Sequence, residues 1–485
     1  MPRRTIVLFQ DSVIYNAEMA VLSGYLKSRG FECRVVIEDV EGPQVLERIA
    51  ALRPDIVAVP TEIRPHNCIS EGGLGTAETV RQIVRRVCSP VVLFGKQASI
   101  ASEQLAKDVP EVHAVIEGDP EHALECLLQG MSRGEISGVV YPDGRGGTAR
   151  GPAGEPLDLA DMPLPDFESF YRHAGSDRLG FYASVSRGCV YKCSFCQIGA
   201  AARVYGPAKI RFYPVEWVIS GLERLCRDYG PVKTVYMTDT NLTLNKKHAR
   251  ELLEAYRERI GLPYVAATRP DLIDEEMADL LARSGCSKVN LGIESGLAEI
   301  RNDLLSKNLS DESIRRAVKL LRERGIRSYG NVIMGLPGEG FDQTHASLKA
   351  VFGFGVDGVN VSLFQPLAGT PLAELAVAQG HVTEAELSGL RSKGDGRLSL
   401  RLPDARRIEN LSQVAPLMRF FRSRVVYALV CSMPRNNLYM LVYHLPRIMR
   451  SLRYEFADQS VSRKTGYFMR NFWRVLATGQ RALNR

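Results

Sequence analysis

The first 130 residues alternate short apolar runs with amphipathic stretches. The apolar runs fall at Thr5–Phe9, Cys33–Ile37, Asp55–Pro60, Pro90–Phe94 and Ala114–Glu117. Helical periodicity separates them, for example over Ala17–Arg29 and Thr76–Val87. Strands that are apolar on both faces are covered on both faces, so the pattern predicts a parallel, doubly wound sheet of Rossmann-like type. Such sheets bind ligands beyond the C-terminal ends of their strands. That rule selects three loops: Gln10–Asn16, Thr61–Gly75 and Gly95–Ser99.

The pattern then breaks. The stretch Pro142–Asp166 is rich in Gly, Pro and Asp and reads as a linker. From Phe181 the alternation resumes, with strands expected at Ala183–Ser186, Thr234–Thr238, Tyr264–Ala267, Lys288–Ile293, Arg327–Met334 and Gly358–Leu363. Helices are expected at Val215–Tyr229, Lys246–Ile260, Glu275–Ser284 and Asp311–Arg324. Six β/α units make a partial (β/α)6 barrel of TIM type, whose chemistry gathers at the C-terminal ends of the strands. Residues 381–485 read as helical and rich in Arg and aromatic residues, with Pro434 and Pro446 as breaks. The expected organisation is a doubly wound domain over 1–140, a linker over 141–175, a partial barrel over 176–380 and a basic helical domain over 381–485.

Charge changes this picture in one place. The whole chain carries a formal +7, yet residues 401–485 alone hold 16 Lys+Arg against 4 Asp+Glu. The C-terminal part is therefore electrostatically distinct. It can close the barrel with its Arg on a wet face, line a pocket for an anionic substrate, or meet anionic lipid. No run approaches the roughly 18–20 apolar residues of a membrane-spanning helix, and the N-terminus shows no leader-type cleavage region. The chain is expected to be cytoplasmic, with a peripheral location at the membrane as the alternative.

Ten cysteines in such a chain are not a disulfide framework. Seven are scattered singly and read as small buried residues. The other three form Cys189-x3-Cys193-x2-Cys196, just past the first expected barrel strand. Three thiolates on a four-iron cube leave one iron open for an outside ligand. S-adenosylmethionine (SAM) suits that position, because its amine and carboxylate can chelate one iron. The competing readings are a zinc site or three chance cysteines. A structural zinc wants four ligands, and no fourth Cys or His lies close by.

With these residues the chain resembles the radical SAM superfamily, and within it the subfamily that carries an N-terminal cobalamin-binding domain. The resemblance spans roughly residues 1–380. It implies that Cys189, Cys193 and Cys196 hold a [4Fe–4S] cluster and that Phe195 lies near the adenine of SAM. It implies that the segment containing Asp239 and Asn241 holds the SAM amino group. The family's usual Gly-Gly-Glu is absent there. Arg269 is matched to the SAM carboxylate, Glu294 and Ser295 to the ribose, and Gly335 to a turn against the adenine. In the first domain, Gly95, Ala98, Ser99 and Gly118 match imperfectly the turns that meet a corrinoid. The Asp-x-His-x-x-Gly motif for a lower cobalt ligand is absent, and His66 is a lone loop alternative. The domain can equally be a buttress without cofactor.

The resemblance implies a methyltransferase: one SAM methylates the corrinoid, a second yields a 5′-deoxyadenosyl radical, and methyl moves to an unactivated carbon or phosphorus of a small molecule. An external donor of flavodoxin or ferredoxin type is expected to supply electrons. Two other readings stand beside it. One is a non-methylating cobalamin-binding enzyme, such as a cyclase. The other is a non-catalytic iron–sulfur scaffold. No nucleic-acid module is visible, and the three-cysteine N-terminal pattern of methylthiotransferases is missing.

Overall fold

The strands predicted from apolar runs form two parallel sheets in the computed structural model. It describes residues 4–10, 16–61, 77–173, 180–204, 210–230, 232–387, 397–419 and 423–432. The first sheet contains β1 (Thr5–Gln10), β2 (Glu32–Ile37), β3 (Ile56–Pro60), β4 (Val91–Phe94) and β5 (Ala114–Ile116), in spatial order 2-1-3-4-5 and all parallel. This is a doubly wound order whose switch point lies between β1 and β3. Successive residues face opposite cores, as the strand period of two requires. Ile6, Leu8, Ile56, Ala58 and Val92 pack beneath the helix Ala17–Ser28. Val7, Phe9, Val57, Val59 and Leu93 form a second core with Ile49 and Ile83.

The stretch expected to be a linker from 141 onward is more ordered than its composition suggests. β6 (Val139–Pro142) pairs antiparallel with β5, and β7 (Thr148–Arg150) pairs with β6, extending the sheet to seven strands. Asp143 closes the turn by accepting from Arg145 N at 2.8 Å and Gly147 N at 2.9 Å. The following segment is a strap across the helix Ala17–Ser28. Asp166 N donates to Ala20 O, and the Asp166 carboxylate takes Ser23 Oγ at 2.6 Å and Lys27 Nζ at 2.6 Å. Trp217 Nε1 donates to Pro163 O at 3.0 Å, tying the same strap to the barrel. The apolar core beneath that helix is in consequence continuous with the barrel's core.

The second sheet has six parallel strands whose spatial order equals chain order: β8 (Phe181–Ala183), β11 (Val235–Met237), β12 (Tyr264–Thr268), β13 (Cys286–Glu294), β14 (Arg327–Met334) and β15 (Gly358–Leu363). The first expected strand, Ala183–Ser186, is split. Asp239 takes Val185 N at 2.9 Å and the Ser186 hydroxyl at 2.5 Å, so the parallel ladder ends at Ala183. The chain then forms a two-residue antiparallel ribbon, β9 (Ser186–Arg187) with β10 (Arg211–Phe212). Helices Ala405–Val414 and Arg424–Ser432 pack together, and the first also packs on β15. Residues 433–485, with Pro434, Pro446 and most of the basic tail, lie outside the described residues, as does His66. Among the described residues, no helix is long and apolar enough to cross a membrane.

Candidate active site

The cysteine loop leaves β9 at Gly188, whose φ of +95° is open to glycine at little cost. Cys189 is buried, while Cys193 and Cys196 are half-buried. The loop is pinned from three sides. Ser194 N donates to Leu305 O, Ser194 Oγ donates to Leu304 O at 2.6 Å, and Leu372 N donates to Ser194 O. Asn241 Nδ2 reaches Cys189 Sγ at 3.7 Å. Burial pushes the Cys193 thiol up, against the pull of the Lys307 cation. Burial also pushes up Cys196, against backbone N–H groups of Gly199 and Ile198. Among the described residues, no three His, Cys, Asp or Glu side chains converge as ligands of a single ion. Cubane ligands sit on separate corners and need no such convergence, so three thiols on one pinned loop suit a cluster with an open iron.

Arg269 lies beside this loop, with its guanidinium 4.0 Å from the centroid of the Tyr191 ring. Nε and Nη2 donate to Asp271 at 3.0 Å each, and Nη2 also donates to Lys307 O at 2.8 Å. Nη1 is buried with no protein partner. Arg269 can therefore offer the two N–H groups of this single nitrogen to a carboxylate, but not its Nε/Nη2 fork.

The sequence reading missed Lys307. It is 5% exposed, its ammonium lies 3.2 Å from Glu294 Oε1, and its charge is felt at Cys193. Backbone strain concentrates around this pair. Of the four described non-glycine residues with positive φ, three are Glu294, Ser306 and Asn308. Such strain persists where the surrounding structure over-determines it, commonly at functional sites.

The other expected residues fall into two groups. Phe195 is half-buried and packs against the core behind the cluster loop. The Asp239 carboxylate is 7% exposed and bonded within the β8–β9 turn, and burial pushes it up to about 6. Ser295 is turned to the outer layer, where its hydroxyl lies 3.1 Å from Ser347 Oγ. Gly335 has φ +75°, and the space where its side chain would stand is filled by Leu398. Glu339 closes that turn by accepting from Gly335 N at 2.8 Å and Leu336 N at 3.1 Å.

Burial raises the Glu339 carboxyl to about 7. The folded chain then holds a proton that the unfolded chain releases near pH 4.3. This contribution to stability is complete below that pH and lost as pH rises through about 7. Glu339→Gln is expected to flatten the fall in melting temperature between pH 5 and 7.5, read by thermal denaturation at fixed salt.

At the C-terminal edge of the first sheet, loops after three strands are knitted together. Thr61 Oγ1 accepts from Ala98 N at 2.8 Å, Ser99 Oγ donates to Gly95 O at 2.8 Å, and Gly118 N donates to Ser99 Oγ at 3.0 Å. Gly95, Ala98, Ser99 and Gly118 are thus neighbours. The Gln97 Oε1 among them is buried without a protein partner. The helix Lys96–Ile100 packs on the helix Gln197–Val204, which begins directly after Cys196. The edge that carries Gly95, Ala98, Ser99 and Gly118 is thereby joined, through this pair of helices, to the segment that follows the cysteine loop.

Residues 183–351 match the model of the radical SAM superfamily. This segment is a radical SAM domain. Beyond it, the chain is 25% identical over 431 residues to the cytidylyl-2-hydroxyethylphosphonate methyltransferase of Streptomyces wedmorensis, covering 77% of this chain and 79% of that protein. It is 27% identical over 372 residues to the anaerobic magnesium-protoporphyrin IX monomethyl ester cyclase of Rubrivivax gelatinosus, covering 72% of this chain and 64% of that one. Among solved structures, the cobalamin-dependent SAM radical enzyme OxsB, with aqua-cobalamin and SAM bound, superposes with a TM-score of 0.65 at 16% identity. That match covers 98% of this chain and 76% of OxsB, and it shows a shared fold.

Proposed function

We propose that the chain is a cobalamin-dependent radical SAM methyltransferase acting on a small molecule. The carrying observation is the apposition of the two candidate cofactor sites, through the packing of helix Lys96–Ile100 on helix Gln197–Val204. When bound, the cluster supplies the electron that opens SAM to a 5′-deoxyadenosyl radical, and the corrinoid supplies the methyl group. Cys189, Cys193 and Cys196 hold the cluster. Lys307 and the Arg269 Nη1 donor favour a carboxylate beside it, and Glu294 is placed to receive hydroxyl or ammonium donors. Gly95, Ala98, Ser99 and Gly118 form the small-residue edge for the corrinoid. A domain interface that kept water out and held the two cofactors in line would render the main service a protein gives such chemistry.

Anaerobic purification with hydroxocobalamin tests this reading. About four irons per chain, as one cubane requires, and corrinoid bands that survive desalting are the expected result. With a competent reductant, methyl transfer releases S-adenosylhomocysteine alongside 5′-deoxyadenosine. The 27% identity to a cyclase keeps one second reading in play. It predicts 5′-deoxyadenosine without S-adenosylhomocysteine, and that product ratio would displace the methyltransferase reading. Loss of corrinoid on desalting would leave the first domain a buttress.

A further inference from the structure

The inner wall of the barrel departs from the usual filling of such barrels, which are packed with bulky branched residues. Along β13, Val289, Leu291 and Ile293 are fully buried against the outer helices, while Asn290, Gly292 and Glu294 are half-buried and face the lumen. Along β14 and β15 the lumen residues include Asn331 and Asn360, which are register partners. Asn is depleted in strand interiors, yet three adjacent strands each place one here. Their side chains form one unit. Asn360 Nδ2 donates to Asn290 Oδ1 at 3.1 Å and to Asn331 Oδ1 at 3.0 Å.

The amide inventory decides what this unit can bind. An amide carries two N–H donors, and Asn360 spends both on its neighbours. The N–H2 groups of Asn290 and Asn331 have no protein acceptor among the described residues, and neither is shut away from solvent. The lumen is thus offered four donors, held in place by the amide between them. The site stands next to the chemistry. Gly292 is the register partner of Asn331, and a side chain at Gly292 would begin 3.0 Å from Lys307 Nζ and 3.1 Å from Glu294 Oε1. Neighbouring strands lie about 4.8 Å apart, so the triad is about one strand from the ion pair under the cysteine loop. The Tyr182 and Tyr236 rings, stacked at 5.1 Å, line the same wall.

We propose that Asn290, Asn331 and Asn360 form the substrate-recognition element of this barrel and that it holds an oxyanion of the substrate, a carboxylate or a phosphoryl group. The proposal rests on the reading of the barrel mouth as the reaction site. Two fixed N–H2 groups match a group with two acceptor oxygens, and charged acceptors form the stronger bonds. An oxyanion seated there hangs the rest of the substrate beside Glu294 and Lys307.

Fluorine NMR on the anaerobically reconstituted full chain tests it with three probes: trifluoroacetate, monofluorophosphate and neutral trifluoroethanol. Broadening of at least one anion is expected. Asn331→Asp is expected to weaken it about ten-fold or more, because a carboxylate replaces two donors while still accepting from Asn360. Asn290→Asp should reproduce the loss, and Asn331→Ser should give it without added charge, with iron content held at the wild-type value. Response to trifluoroacetate alone assigns a carboxylate, and response to monofluorophosphate alone assigns a phosphoryl group. Broadening that all three variants leave untouched places the anion elsewhere and overturns the proposal, as does a response to trifluoroethanol only or to no probe. A wild-type chain that takes up no iron sinks the radical SAM reading instead, a failure visible before any probe is added.

Discussion

Replacing Cys193 or Cys196 with Ser is expected to lower bound iron from about four per chain to below one, and to bring release of 5′-deoxyadenosine to the reagent background. The size of the effect follows from how few ligands there are. Among the described residues, nothing beside the loop supplies a fourth thiol or imidazole that can substitute. The loop is also held too firmly to re-form around a missing ligand, since Ser194 is bonded to Leu304, Leu305 and Leu372. Cys88→Ser is the matched control, because that thiol is exposed and lies in the loop that leads into β4 of the first sheet. Iron determination and product analysis on the same anaerobic preparation give both readouts. Retention of near-stoichiometric iron in Cys193→Ser would overturn the assignment of this thiol as a ligand.

Most of the strands can be read directly from the apolar runs, because a strand covered on both faces must be apolar throughout. The strands β14 and β15 begin and end where the pattern places them. The hairpin of β6 and β7 was obscured because its strands are short and flank the Gly-rich turn Asp143–Gly147, whose composition equally suits a linker. The cysteine loop was legible from spacing alone. Lys307 was not: its partner Glu294 is 13 residues away across a turn, and nothing in Ser306-Lys307-Asn308 marks it. The asparagine triad did leave a signal, one Asn inside each of three successive strands, but only the register shows that they meet. Gly118 is matched by resemblance to a turn that meets a corrinoid, and in the structure its N–H donates to Ser99 Oγ. Asp119 and Glu121 do something else, because their arginine partners lie between 66 and 92 residues further on.

Those partners are Arg187 and Arg211, the two residues paired across the ribbon at the foot of the cysteine loop. Arg187 Nη1 lies 2.9 Å from Asp119 Oδ1, Nη2 lies 2.6 Å from Glu121 Oε1, and Nε donates to Tyr213 Oη at 2.7 Å. Arg211 Nη1 lies 2.5 Å from Asp119 Oδ2. Glu121 is 1% exposed. Burial would disfavour the Arg187 cation, but Glu121, Tyr213 and Asp119 hold it firmly charged. Burial would likewise raise the Asp119 carboxyl, yet Arg187 and Arg211 keep it below the usual range. Removing one member of a buried pair strands the other charge, so Arg187→Met is expected to destabilise the chain by about 3–5 kcal/mol. Adding Glu121→Gln should recover part of that loss, because it removes the stranded carboxylate; strict additivity in denaturant titrations would refute the coupling. Arg187→Lys keeps the charge but cannot span Asp119, Glu121 and Tyr213 at once. Arg187 is two residues before Cys189, so the clasp fixes the cluster loop against the first domain. On the proposed methyltransferase reading, Arg187→Lys is therefore expected to lower S-adenosylhomocysteine more than 5′-deoxyadenosine, since only methyl transfer would need both domains in line. An equal fall in the two products would mean that the clasp supports folding alone.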